Sequence, residues 1–327
     1  MLLRQVRHPK AAGEAYRKED VFSMELRTRP FEPPHSFGRG ILPSISLLTP
    51  YAIISRMLTL LRLALGLYSL GLMHSVLTVL RKKETFFWPA AAAMAAGFVF
   101  QATAIGYKAY ELQSFPVTRL DESFSFFAAL AVPVFFIVYL KYRIPSLGVF
   151  AFPMIFLMTF MANVGYDQSD AVPAVLMSHW LYIHIPLVIL GYVALFIAFT
   201  AAILYLVQER ELKSKSPRML YHRFPSLEVC DDLAYRSLAI GFPLMTLGMI
   251  SGVLWAHKAN WGPQWEFDTK ILLSFLTWLI YLLLIHYRLI AGWRGKKAAY
   301  LAIAGFVSVL VTFVGSTYFS GFHTFTQ

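Results

Sequence analysis

Eight apolar runs, each near the ~20 residues a helix needs to cross the hydrocarbon core of a bilayer, follow one another along this 327-residue chain. Their approximate spans are 58–80, 87–107, 124–140, 146–164, 183–208, 237–256, 270–290 and 298–319. In lipid an unpaired backbone N–H or C=O is so costly that runs of this length commit the chain to helices. The fold class read from them is all-α: a polytopic membrane helix bundle with about eight transmembrane helices. At 57% hydrophobic and 14% charged, the composition lies far from that of a water-soluble domain.

Charge then orients the helices, because short cytoplasmic loops retain Lys and Arg. The connections RKK at 81–83, KYR at 141–143, Arg210 to Arg236 and Arg288 to Lys297 hold 3, 2, 6 and 4 basic residues. The alternate connections hold Lys108, Arg119, Lys258 and Lys270. This asymmetry places the loop around WGPQWEFD (261–268) and the C-terminus on the outer side, and the expected setting is the inner membrane of a bacterium with that side periplasmic. The net charge of +11 thus reports topology and calls for no nucleic-acid partner. Residues 1–56 form a polar leader, expected to be disordered, that lacks the apolar core of a signal peptide; residues 57–327 form the transmembrane domain. The leader's nine basic residues conflict with an outer location, so a true start near Met57 is a second expectation. The single cysteine, Cys230, excludes an internal disulfide, CxxC redox chemistry and covalent haem attachment to this chain, and it is read as structural.

The loop at 255–270 gathers Trp255, Trp261, Trp265, Phe267 and Asp268 between two strongly apolar helices. A flat aromatic surface with polar edges suits a flat aromatic ligand. The topology brings His184, in WLYIHIP, to the outer end of helix five and His323, in SGFHTF, just beyond the outer end of helix eight. Two imidazoles flanking an aromatic shelf are what a bis-histidine haem site needs, with Lys258, Lys270 or Arg119 available to the propionates. Pro186 is expected in the first turn of that helix, where no backbone donor is required. A second depth is marked by His286, eighteen residues after Asp268 and therefore roughly 27 Å deeper, and by His74 near the inner end of helix one. Blander readings stand beside these. Trp88, Trp180 and Trp293 read as interfacial-belt residues, His179 and His257 as alternative ligands, and a lone intramembrane histidine such as His74 as an interhelical hydrogen-bond donor.

The ordered set of segments resembles a known family. WGPQWEFDTK is similar to the tryptophan-rich WWD signature of the CcsA/ResC cytochrome c assembly proteins, to whose superfamily HemX-type proteins also belong. PVTRLDES (116–123) resembles that family's PVTNLYES, WLYIH its first external histidine motif, QERELKSKSP with FPSLE its cytoplasmic connection, and LTWLIYLLLIHYRL and GFHTF its transmembrane and second external histidines. The resemblance covers roughly residues 58 to 325. It implies that haem b is bound as a substrate, capped by His184 and His323, with His286 as the transmembrane histidine and His74 as its possible companion. It further implies a CcsB/ResB-like membrane subunit as partner and apocytochrome c as the recipient, whose CxxCH thiols receive the vinyl groups. Glu122 and Asp268 are assigned to orienting a histidine or to the cations near the propionates.

Departures from the family pattern define the alternatives. In place of WxWDPKE the chain has Phe267, Thr269 and Ile271, which remove an indole donor, a proline and a carboxylate. Gln101 stands in FVFQAT where the resemblance leads one to look for an inner histidine. The leading expectation is the haem-binding subunit of a System II cytochrome c synthase. A HemX-like protein that tunes haem biosynthesis is the second expectation, and a transporter whose aromatic loop gates another substrate is the third.

Overall fold

A computed structural model describes residues 50–81, 84–113, 115–165, 178–214, 224–262 and 265–315. The leader assigned to 1–56 lies almost wholly outside these residues, and so does His323. Among the described residues eight helices are long and apolar enough to cross a membrane. They are α1 (Pro50–Arg81), α2 (Phe87–Leu112), α3 (Leu120–Tyr142), α4 (Gly148–Val164), α5 (Leu181–Lys213), α6 (Leu227–Lys258), α7 (Thr269–Leu289) and α8 (Lys296–Gly315).

All eight expected spans are present, but α1 and α6 begin eight and ten residues earlier than hydropathy alone suggests. The reason is length. With 32 residues α6 reaches about 48 Å, whereas the hydrocarbon core is only about 30 Å thick, so its polar first turns project beyond the apolar stretch. Ser226 caps that projecting end by accepting from the Val229 amide at 3.4 Å.

Two packing units meet at α5. α1 lies on α2 and α4, and α3 lies on α4; α5 packs against α6, α8 and α3, while α7 packs on α8 and α6. In α5, 67% of the apolar window is buried against protein, compared with 17% in α7. One helix is a core element and the other is largely turned outward. The α5–α6 seam is close because small residues line it, the usual means of helix association where lipid removes the hydrophobic driving force. A Cβ added at Gly191 would stand 2.8 Å from the Met245 amide nitrogen, and one at Gly248 would stand 2.6 Å from Val188 Cγ2.

Polar ties supplement the packing. Gln101 is fully buried: its carbonyl accepts from Tyr68 Oη at 2.7 Å, and its amide donates to the Ser125 carbonyl and hydroxyl, both at 3.1 Å. The residue read as a missing histidine therefore joins α1, α2 and α3. At the other end of the second unit, Arg288 on α7 holds the Asp231 carboxylate of α6 with bonds of 2.9 and 2.6 Å, and the Gly295 amide ahead of α8 donates to the same carboxylate at 3.0 Å. Cys230, next in sequence, is 1% exposed, in keeping with a structural role.

Candidate functional site

The start of α5 sets the site. Leu181 donates to the Ser178 carbonyl at 3.1 Å and His184 to the Trp180 carbonyl at 2.9 Å, so the helix begins three residues ahead of the histidine. Pro186 therefore lies in the second turn and not the first, a correction to the sequence expectation. Having no N–H, it cannot bond to the Tyr182 carbonyl, and the helix winds past this lost bond. His184 Nδ1 lies 2.9 Å from the Gly248 carbonyl and 3.3 Å from Ser251 Oγ, both on α6. A carbonyl can only accept, so Nδ1 carries the proton of this contact, and in the neutral ring Nε2 then holds the lone pair.

Aromatic side chains gather around this imidazole. Trp255, buried near the end of α6, has its ring 6.2 Å from His184 at 37°, and Trp261 meets Trp255 edge-on at 5.1 Å and 74°. Phe115, Val117, Leu181 and Trp255 form one apolar cluster, with Trp180 and Trp261 packed against it. Tyr182 packs edge-on to Phe115 at 5.1 Å. Lys258 lies 5.4 Å over the Trp180 ring, leaving an exposed cation on the rim. Among the described residues the buried Trp255 indole N–H has no hydrogen-bond partner. Such a donor is costly to leave unmade and suits an acceptor brought by a ligand.

The rest of the loop is divided between exposure and capping. Trp265 and Phe267 sit in a 3-10 turn (Trp265–Phe267), Trp265 half-buried and Phe267 69% exposed. Asp268 is buried and caps α7 by accepting from the Lys270 amide at 2.9 Å. Glu122 also has local partners. One carboxylate oxygen accepts from the Thr118 amide (2.6 Å), the Thr118 hydroxyl (2.9 Å) and the Arg119 amide (3.1 Å), and the other pairs with Lys108 of α2. Glu122 thus reaches back to hold the first turn of α3, and it fixes the segment from Phe115 to Val117 that forms one wall of the aromatic cluster. Arg119 is engaged by Asp121 at 3.0 Å and by the Gly165 carbonyl at 3.3 Å.

The two histidines of the inner depth are differently placed. His286 is exposed on the outward side of α7, its ring edge-on to Tyr287 at 5.8 Å. His74 on α1 folds back onto its own helix, with Nδ1 3.0 Å from the Leu70 carbonyl. α1 packs on α2 and α4 while α7 packs on α6 and α8, so the two helices belong to different packing units. His179 and His257 are exposed at the aromatic-loop end. Sequence reasoning missed Gly248, Ser251 and Gly252 as neighbours of His184, and Phe115 and Tyr182 as walls. The signal available was a run of small residues at 241, 248, 251 and 252, spaced to share one face of α6.

Comparison with known proteins decides the family. The model of the family described as cytochrome C assembly protein matches residues 117–323. The chain belongs to that family. Among its relatives, the cytochrome c biogenesis protein CcsA of Guillardia theta is 33% identical over 243 residues, covering 68% of this chain and 80% of that protein. CcsA of Heterosigma akashiwo (strain NIES-293 / 8280G21-1) is 30% identical over 258 residues with the same coverage. CcsA of Prochlorococcus marinus (strain MIT 9301) is 34% identical over 236 residues, covering 64% and 76%. The family match takes in Val117, Glu122, His184, Trp255, Trp261, Trp265, His286 and His323, and with eight apolar helices the chain is a multi-pass membrane protein.

Proposed function

We propose that this protein is the CcsA-like, haem-binding subunit of a System II cytochrome c assembly complex. It holds haem b as a substrate at the aromatic-loop end, which on the charge asymmetry faces the outside of a bacterial cytoplasmic membrane. The observation that carries the reading is the setting of His184. Its Nδ1 donates to the Gly248 carbonyl, which in the neutral ring puts the lone pair on Nε2, and the ring lies beside an indole wall. Haem needs those things: a neutral nitrogen donor, flat apolar walls, and polar groups for two carboxylates. The Trp255 indole N–H and the exposed Lys258 ammonium supply the last.

In this reading His184 and His323 cap the iron until the histidine of an apocytochrome CxxCH displaces one of them. Each thioether forms as a thiol S–H adds across a vinyl C=C, with sulfur bonding to carbon and the proton ending on the neighbouring carbon. No electron transfer is required in that step. The contribution of this chain is positioning, which raises the effective concentration of vinyl group at thiol. His286, exposed on α7, supports contact with a CcsB/ResB-like membrane partner, because an ionisable side chain on an outward transmembrane face is stabilised by a protein neighbour.

The test is the double variant His184→Ala/His323→Ala in purified protein. Loss of the reduced bis-histidine haem spectrum is expected, and undiminished haem overturns the reading. The departures at Phe267, Thr269 and Ile271 favour the HemX-like alternative. Gene deletion separates the two: loss of mature c-type cytochromes is expected here, whereas persistence of those cytochromes with altered haem precursors supports a regulator of haem synthesis.

A further inference from the structure

We infer that Gly248, Ser251 and Gly252 on α6 are the positioning residues of the external site, setting both the tautomer and the plane of His184 before any ligand arrives. This deepens the proposed function and rests on His184 being a ligand there. Three observations converge on it. First, His184 Nδ1 has two acceptors on one turn of the neighbouring helix, the Gly248 carbonyl at 2.9 Å and Ser251 Oγ at 3.3 Å. Second, Ser251 Oγ donates to the same Gly248 carbonyl at 2.7 Å, which turns its own lone pairs toward the imidazole N–H. Ser251 is buried, so this small network has no competition from bulk water. Third, Gly252 leaves a slot that the imidazole fills. A Cβ there would lie 2.7 Å from Cε1 and 3.1 Å from Nδ1 of His184, closer than packed atoms approach.

The consequence is chemical as well as steric. An imidazole whose N–H is held by a carbonyl is a stronger donor at its other nitrogen, and a ring fixed in plane does not lose rotamer freedom when it binds. Each contact does one part of this. The Gly248 carbonyl selects the Nδ1–H tautomer, the Ser251 hydroxyl narrows the ring's swing, and the missing side chain at Gly252 lets the ring lie flat between α5 and α6. The close seam at Gly248, where a Cβ would stand 3.0 Å from the Val188 amide nitrogen, keeps the two helices near enough for these bonds to form.

The experiment uses the full-length protein in detergent. In haem-free protein with 15N-labelled histidine, His184, assigned by loss of its signal in His184→Ala, is expected as the Nδ1–H tautomer. In Ser251→Ala its Nδ1 resonance moves, and in Ser251→Thr it stays near the wild-type position. In haem-loaded protein, Gly252→Ala is expected to weaken retention about 10-fold or more, with added imidazole restoring the low-spin spectrum. Two controls separate positioning from general packing. Gly106→Ala, in open space on α2, should match wild type, and Gly241→Ala, which crowds Leu195 at 2.9 Å on the same seam, should not be rescued by imidazole.

An Nε2–H tautomer, wild-type haem retention in Gly252→Ala, or a loss that imidazole does not restore overturns the inference. If Gly252→Ala fails to accumulate, the tautomer and the Ser251 pair decide. His184→Ala keeps the two levels distinct: unchanged haem there removes the functional reading itself, whereas haem lost there but kept in Gly252→Ala and Ser251→Ala removes only the positioning role.

Discussion

His184 and His286 belong to one chain and are held in opposite ways. His184 lies in a slot between the most buried helix and its closest neighbour, with its proton already assigned. His286 lies on the least buried helix, exposed, touching the ring of the next residue. The contrast teaches that the chain orders one imidazole with its own backbone and leaves the other exposed. A side chain that is already ordered costs little further entropy when it binds something, while an exposed one must be fixed by whatever covers it.

The most severe way to break this contrast is to remove each imidazole in turn. If the proposed function holds, His184→Ala in the isolated chain should lower haem retention by about 10- to 100-fold, whereas His286→Ala should leave the haem spectrum of the proposed external site unchanged. Haem stoichiometry and reduced-minus-oxidised spectra measure both. Equal losses would show that the two positions are not independent.

The next effect concerns the frame of the second unit. Arg288→Met leaves the half-buried Asp231 without its paired cation, and a loss of about 1–3 kcal/mol is expected, read as a fall in thermal midpoint in detergent. Adding Asp231→Asn should recover a large part of it. Full recovery without change in haem retention would confine the pair to architecture. Gln101→Leu strips Tyr68 and Ser125 of a shared partner and should cost about 1–2 kcal/mol by the same assay, with the external haem spectrum intact. Phe267→Ala, at a 69% exposed ring, should change stability by no more than about 0.5 kcal/mol. Its effect, if it touches the recipient, belongs to transfer to apocytochrome and not to haem retention, and a transfer assay distinguishes the two.

The parts of the molecule that were legible from sequence are those written in one dimension. Apolar runs gave all eight helices, and the clustering of Trp255 and Trp261 near His184 held because all three sit at helix ends facing the same way. Helix starts at Pro50 and Leu227 were hidden, since polar turns that project past the bilayer carry no hydropathy signal. The small residues on α6 share one face in the sequence, but what that face admits is known only when the partner is in place. Glu122 read as a ligand-side carboxylate because sequence cannot say which cation lies nearest. In space it is Lys108, fourteen residues back on another helix.

That pairing reaches further than its two residues. The family match begins at Val117, so α1 and α2 lie outside it, yet Lys108 on α2 neutralises the carboxylate that secures the start of α3. Trimming the chain to its recognisable segment would strand a negative charge under the aromatic shelf and free the strip of backbone on which the shelf leans. The least diagnostic third of this protein is thus a foundation for its most diagnostic corner.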